Sequence, residues 1–180
     1  MIEMAIETCK ELVQVNIGWL RQALVLVAQI DDATFSTSPA GLAPHRVGSH
    51  LRHVVEFYQS FLKGLAASRI DYDARKRDEA IERNRQVAGA CIRSIITLLD
   101  EVSSFDADWA LAVRVENADE DAYLNSSVGR ELQVLSSHTI HHFALIAVTL
   151  RLHGFEVDPD FGMSPSTLRH QAARLELTHA

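Results

Sequence analysis

Nine histidines stand in this 180-residue chain, and five of them fall into two tight groups. His138, His141 and His142 share one largely apolar stretch, and His50 and His53 share another. In a helix, residues four apart lie one above the other on a single face, so His138 and His142 can offer imidazoles to one ion. His141 follows His138 by three, overlaps that face in part, and competes with His142. His50 and His53 are also three apart; beside Leu51, Val54 and Phe57, at least one of them must point inward. Imidazoles among apolar neighbours need partners, because an unpaired buried polar group costs about 1–3 kcal/mol. A divalent cation satisfies several at once, and neutral imidazole is the commonest protein ligand for it. Three nitrogens plus a water make the open coordination of a catalytic zinc site. Such an ion lowers the pKa of a bound water or takes a thiol as thiolate. The bland reading is that these rings simply bond to Ser, Thr or carbonyl groups in a partly wet core.

Other chemistry finds little footing. His138-Thr139-Ile140-His141-His142 lacks the glutamate of HExxH, which argues against a zincin-type protease. A ferritin-like di-iron centre wants two Glu-x-x-His pairs and two further glutamates, which these helical faces do not supply. No GxSxG, Walker loop or GxGxxG is present. Asp71, Asp73, Asp119 and Asp121 lack the glycine and closing glutamate of an EF-hand loop and read as solvated acids.

Rigid elements must hold the histidines, and the apolar periodicity supplies them. Ile6, Cys9, Val13, Ile17, Leu20, Leu24, Val27 and Ile30 recur every three or four residues and predict an amphipathic helix over 2–30. Turn formers break it between Asp31 and Pro44. A second helix over 47–65 carries Val47, Leu51, Val54, Phe57, Tyr58, Phe61 and Leu65. A polar connection through 68–73 leads to a third helix over 77–102, with Ile81, Val87, Ala88, Cys91, Ile95, Leu98 and Leu99 on or near its inner face. Between Ser103 and Ser127 the pattern changes. Residues 111–115 and 122–124 could pair as a short hairpin around the acidic turn 117–121. The fourth helix, over 128–152, presents Leu132, Leu135, Ile140, Ala144, Leu145, Val148 and Leu152 and stops at His153-Gly154. A short helix over 166–177 could follow. The fold class this implies is all-α: a four-helix bundle over a single domain, residues 1–180, with 103–127 as a long crossover connection.

Composition narrows the partners. Hydrophobic residues make up 47% and charged ones 23%, an ordinary globular balance that can bury a real core. The net charge is −7, and the one basic cluster, Arg75-Lys76-Arg77, is flanked by Asp71, Asp73, Asp78 and Glu79. Phosphate binding needs a basic patch, so nucleic acid is not an expected partner. The stretch from Ile17 to Ile30 is interrupted by Arg21, Gln22 and Gln29, too short and polar for a membrane span. Met1-Ile2-Glu3-Met4 carries an acid where a secretory signal carries basic residues, so a cytoplasmic location is expected. Cys9 and Cys91, without a CxxC partner, read as reduced thiols.

Three stretches resemble the DinB-like superfamily, which includes the YfiT-like metal-dependent hydrolases and bacterial thiol transferases. They are Gly48-Ser49-His50-Leu51-Arg52-His53 with Val54-Val55-Glu56-Phe57-Tyr58; Ser137-His138-Thr139-Ile140-His141-His142; and Ile70 to Asp78 with Phe161 to Thr167. The last resembles an uncharacterised branch of that superfamily. The resemblance implies a bundle that holds nickel, zinc or a similar divalent ion between the second and fourth helices. By position it makes His53, His138 and His142 the ligands, with His50 and His141 as neighbouring extra candidates. It also implies a small-molecule substrate, use of a low-molecular-weight thiol in some relatives, and a homodimer, which no surface stripe here demands.

The expected function is a metal-dependent hydrolase or thiol S-transferase, its ion activating a thiol or water toward a small electrophile. Glu131, seven before His138, Glu56, three after His53, and Tyr58 are the candidates to orient the imidazoles from behind. The rival expectation is a non-catalytic helical bundle used for self-association or partner binding.

Overall fold

The computed structural model describes residues 2–42, 44–116, 118–119 and 121–178, with side chains described for all of these but 2, 3, 5, 6, 165 and 175–178. The described chain is mostly helical. In order it runs α1 (Ile2–Gln29), α2 (Asp32–Ser36), α3 (Val47–Leu65), β1 (Arg69–Ile70), α4 (Glu79–Arg83), α5 (Arg85–Val102), β2 (Ala110–Arg114), β3 (Tyr123–Ser127), α6 (Val128–Leu152) and α7 (Pro165–Thr178). Helices α1 and α3 each pack against both α5 and α6. The core between them is built from Val13, Ile17, Leu20, Leu51, Tyr58, Phe61, Ile92, Leu132 and Phe143, all essentially without exposure. No helix among the described residues is long and apolar enough to cross a membrane.

Two helical segments differ from the periodicity reading. The helix expected over 77–102 is two helices, because Asn84 is extended (φ −128°, ψ 106°) and caps both. Its N–H closes α4 on the Ala80 carbonyl, and its side chain accepts from the N–H groups of Gln86 and Val87 to open α5. The turn region after α1 contains the short helix α2, opened by Asp31 accepting from Thr34 N–H and seated by buried Phe35.

The inner face of α6 also drifts from the expected positions. Beyond Leu135 it continues through Thr139, Phe143, Ile146 and Leu150, while Val148 and Leu152 are exposed. On α5, Ala88, Ile95 and Leu99 are buried as expected, while Ile92 joins them and Leu98 is exposed. A helix whose apolar residues nearly encircle it leaves the choice of face to its neighbours.

The hairpin is present: β2 and β3 pair antiparallel, from Ala110 opposite Ser127 to Arg114 opposite Tyr123. Residues 117 and 120 of the acidic turn lie outside the described residues. Strand β1, within the stretch read as a polar connection, adds itself parallel to β2 through Arg69–Ala112 and Ile70–Val113. Ser127 ends β3 and caps α6 by accepting from Arg130 N–H, so the small sheet leads directly into the histidine-bearing helix.

Candidate metal centre

The structure brings His53 of α3 and His138 and His142 of α6 together, one nitrogen from each lying within 4.8 Å of the others. All three rings are half-buried. His138 Nε2 lies 3.1 Å from His53 Nε2 and 3.1 Å from His142 Nε2. A neutral ring nitrogen has either one proton or one lone pair, so this atom can bond well with only one of them. A shared cation satisfies all three. An ion at the usual zinc–nitrogen distance of about 2.05 Å would see nitrogens 3.1 Å apart at roughly 98°, between octahedral and tetrahedral angles. The residues present therefore fit a divalent ion.

Electrostatics keep the rings ready as neutral ligands. Burial is the main cause in each case, pushing His138 down to about 4 and His53 and His142 down to about 3. After burial, Arg75 and then His138 act on His53; His138, His53 and His50 act on His142; His141 and then Arg75 act on His138.

The other sequence candidates take different places. His50 is buried, and its Nδ1 lies 3.1 Å from His142 Nδ1, on the far side of that ring from His138. It is pushed down to about 4 by burial and then by His45, whose ring stacks on it at 5.5 Å. His141 is exposed and meets His142 edge-on at 5.2 Å.

Glu131, Glu56 and Tyr58 engage groups other than the imidazoles. Glu131 accepts from Tyr72 Oη at 2.8 Å and Ser126 Oγ at 2.5 Å. Glu56 accepts from Asp78 N–H at 2.8 Å and pairs with Arg52 at 3.4 Å. Both acids thus hold the loop between β1 and α4, one at each end. Tyr58 is fully buried; its hydroxyl donates to Asn16 Oδ1 at 2.7 Å and meets Thr139 Oγ1 at 3.1 Å. Asn16 Nδ2 in turn donates to the Leu132 carbonyl at 3.0 Å, a polar tie across α1, α3 and α6 that fixes the register of the two histidine helices.

Two further side chains reach the centre: Phe57, four residues after His53 and so on its face, and Arg75, for which the sequence spacing carries no signal. Phe57 lies 3.9 Å from the His138 ring and 4.7 Å from His53, walling one side. Arg75 Nη1 lies 2.6 Å from His53 Nδ1.

The depressed values set a pH dependence for the metal-free protein. Each of the four rings takes its proton near 6.5 when unfolded and only near 3–4 when folded. Between those values the unfolded chain binds more protons, so acid favours unfolding. Stability from these rings is expected to be complete above about pH 6.5 and to drain as pH falls toward 4, ahead of most carboxylate titration. Thermal melts between pH 7 and pH 5 should show a steady fall in Tm; a flat profile would contradict this environment.

No protein-family model matches the chain, and no solved structure matches it. A curated protein named FK506-binding protein 5, from Rhizopus delemar, is 38% identical over 105 residues. The match covers 56% of this chain, which spans only 27% of that protein's length, so the likeness is to a segment of it.

Proposed function

We propose that this protein is a metal-dependent enzyme whose four long helices form a DinB-like bundle, with a divalent ion, nickel or zinc, held by His53, His138 and His142. The observation that carries the reading is the meeting of three neutral imidazoles on one point at metal-ligand spacing. Bound there, such an ion supplies a Lewis acid that lowers the pKa of a water or a low-molecular-weight thiol directed at a small electrophile. The chain's own residues orient the ligands, wall the site with Phe57 and keep the rings unprotonated. Purification followed by metal analysis tests the proposal: one equivalent of nickel or zinc per chain is expected, either as isolated or after reconstitution. A preparation that takes up neither leaves a non-catalytic bundle, for which exposed Val148 and Leu152, one turn apart on α6, offer a contact surface.

His50 has a distinct part in this reading. An imidazole that binds metal through Nε2 carries its proton on Nδ1, and His50 Nδ1 is placed to accept it from His142. Replacing His50 with alanine should weaken metal binding about 10–100-fold while leaving one ion per chain, as for other groups that orient a ligand from behind. His50→Asn, which keeps an acceptor, should recover part of the loss. An unchanged Kd in His50→Ala would remove this residue from the site.

A further inference from the structure

The loop between β1 and α4 presents a cation that metal binding alone does not explain. Asp71 Oδ1 accepts from the N–H groups of Asp73 and Ala74 at 2.8 and 3.1 Å, folding the start of the loop into a turn. Tyr72 and Asp78 are pinned by Glu131 and Glu56, and Arg77 adopts a left-handed φ of 52°. So held, the loop aims Arg75 at the imidazoles. Its guanidinium lies over the Phe57 ring at 4.7 Å, with Nη1 2.6 Å from His53 Nδ1 and 3.4 Å from Nε2.

This guanidinium lacks the oxyanion its fork is shaped for. Among the described residues no carboxylate lies within ion-pair distance of it; Glu56 and Asp73 act on it only from farther away. Its Nε is enclosed without a partner. The nearby acids are engaged: Glu131 with Tyr72 and Ser126, Glu56 with Arg52 and Asp78 N–H, Asp71 with Arg114 at 3.3 Å.

Its bond to His53 is also incompatible with a ligand role for that ring. With Nε2 on an ion, Nδ1 carries the proton, and two N–H groups cannot bond to each other. Arg75 must then leave Nδ1 and turn its donors elsewhere. On its side away from the three histidines, none of which lines it, opens a cavity of about 310 Å³ walled by Lys63 and Lys76 together with Glu56 and Asp78. That volume is at the lower end for small-molecule sites, about 300–1,000 Å³.

We propose that Arg75 is the anion-binding residue of this site, and that the substrate is a small molecule bearing a carboxylate-type oxyanion taken by the guanidinium. The inference rests on the metal reading above and narrows it to anionic substrates.

The test uses the full chain loaded with nickel, its metal content measured first. The protein is titrated with 3-mercaptopropionate and with its neutral isostere 3-mercaptopropionamide, following sulfur-to-nickel charge-transfer absorption. The wild type should bind the acid at least about tenfold more tightly, as a charge-assisted pair would give. Arg75→Gln should bind both alike while holding nickel no more weakly than the wild type; Arg75→Lys should keep part of the preference. Equal binding of the two thiols by the wild type, or a preference that survives in Arg75→Gln, overturns the proposal with the metal reading intact. Weaker nickel binding in Arg75→Gln would make the residue a structural support instead. Failure of the wild type to take up nickel or zinc overturns the metal reading, and this inference with it.

Discussion

Replacing His138 with alanine is expected to abolish metal binding at micromolar ion while leaving the helical circular dichroism spectrum in place. Of the three rings, His138 is the one whose Nε2 lies 3.1 Å from both of the others, so its removal separates the ligand set. A structural zinc site contributes about 10–16 kcal/mol over four ligands, so each accounts for roughly 3 kcal/mol, about a hundredfold in affinity. The fold should survive because the ring is half-buried and sits beside the inner stripe of α6, which Leu135, Thr139 and Phe143 form without it. Metal content by mass spectrometry and the far-ultraviolet spectrum of the same sample check both halves. Full stoichiometry in His138→Ala would show that the ion, if any, sits elsewhere.

The second large effect concerns a residue with no polar side chain at all. Gly48 opens the Gly-x-His-x-x-His stretch, and a Cβ there would stand 1.9 Å from the Glu82 carbonyl oxygen and 2.8 Å from Phe35 Cε1. The first of these is backbone, which cannot rotate aside, so α4 must move off α3. Overpacking costs typically 1–3 kcal/mol, and a backbone collision belongs at the top of that range. Gly48→Ala is therefore expected to lower stability by about 3 kcal/mol, or Tm by roughly 6–12 °C for a chain of this size. The displacement would also disturb the ion pairs of Arg46 and Arg52 with Glu82, at 2.8 and 3.0 Å, which lace α3 to α4 near His53. Calorimetry checks it; a variant melting within a degree of the wild type would mean that α3 and α4 do not approach this closely.

The two glutamates expected behind the imidazoles show how local spacing misleads about roles. Glu131 and Glu56 lie on faces near the histidines, but each reaches the β1–α4 loop first. Tyr72, stacked on Phe57 at 4.8 Å, takes one oxygen of Glu131 with its hydroxyl. Acids read from helical spacing as supports for metal ligands thus serve to fix the loop that delivers Arg75.

The sequence by itself determined the helical class, the four long apolar repeats, the hairpin before α6 and the grouping of His138, His141 and His142 on one helix, though not which two of them act together. These follow from periods of 3.6 and 2 and from caps within a few residues, which are local properties of the chain. Only the tertiary structure decided that His53 rather than His50 faces His138, since both lie on one side of α3 and the choice depends on how α3 is rotated against α6. It also decided the inner face of α6, the break at Asn84 and the arrival of Arg75, twenty-two residues beyond His53, at that ring. Such contacts arise from packing between segments distant in the chain, and packing is set by the fit of whole surfaces rather than by spacing along any one of them.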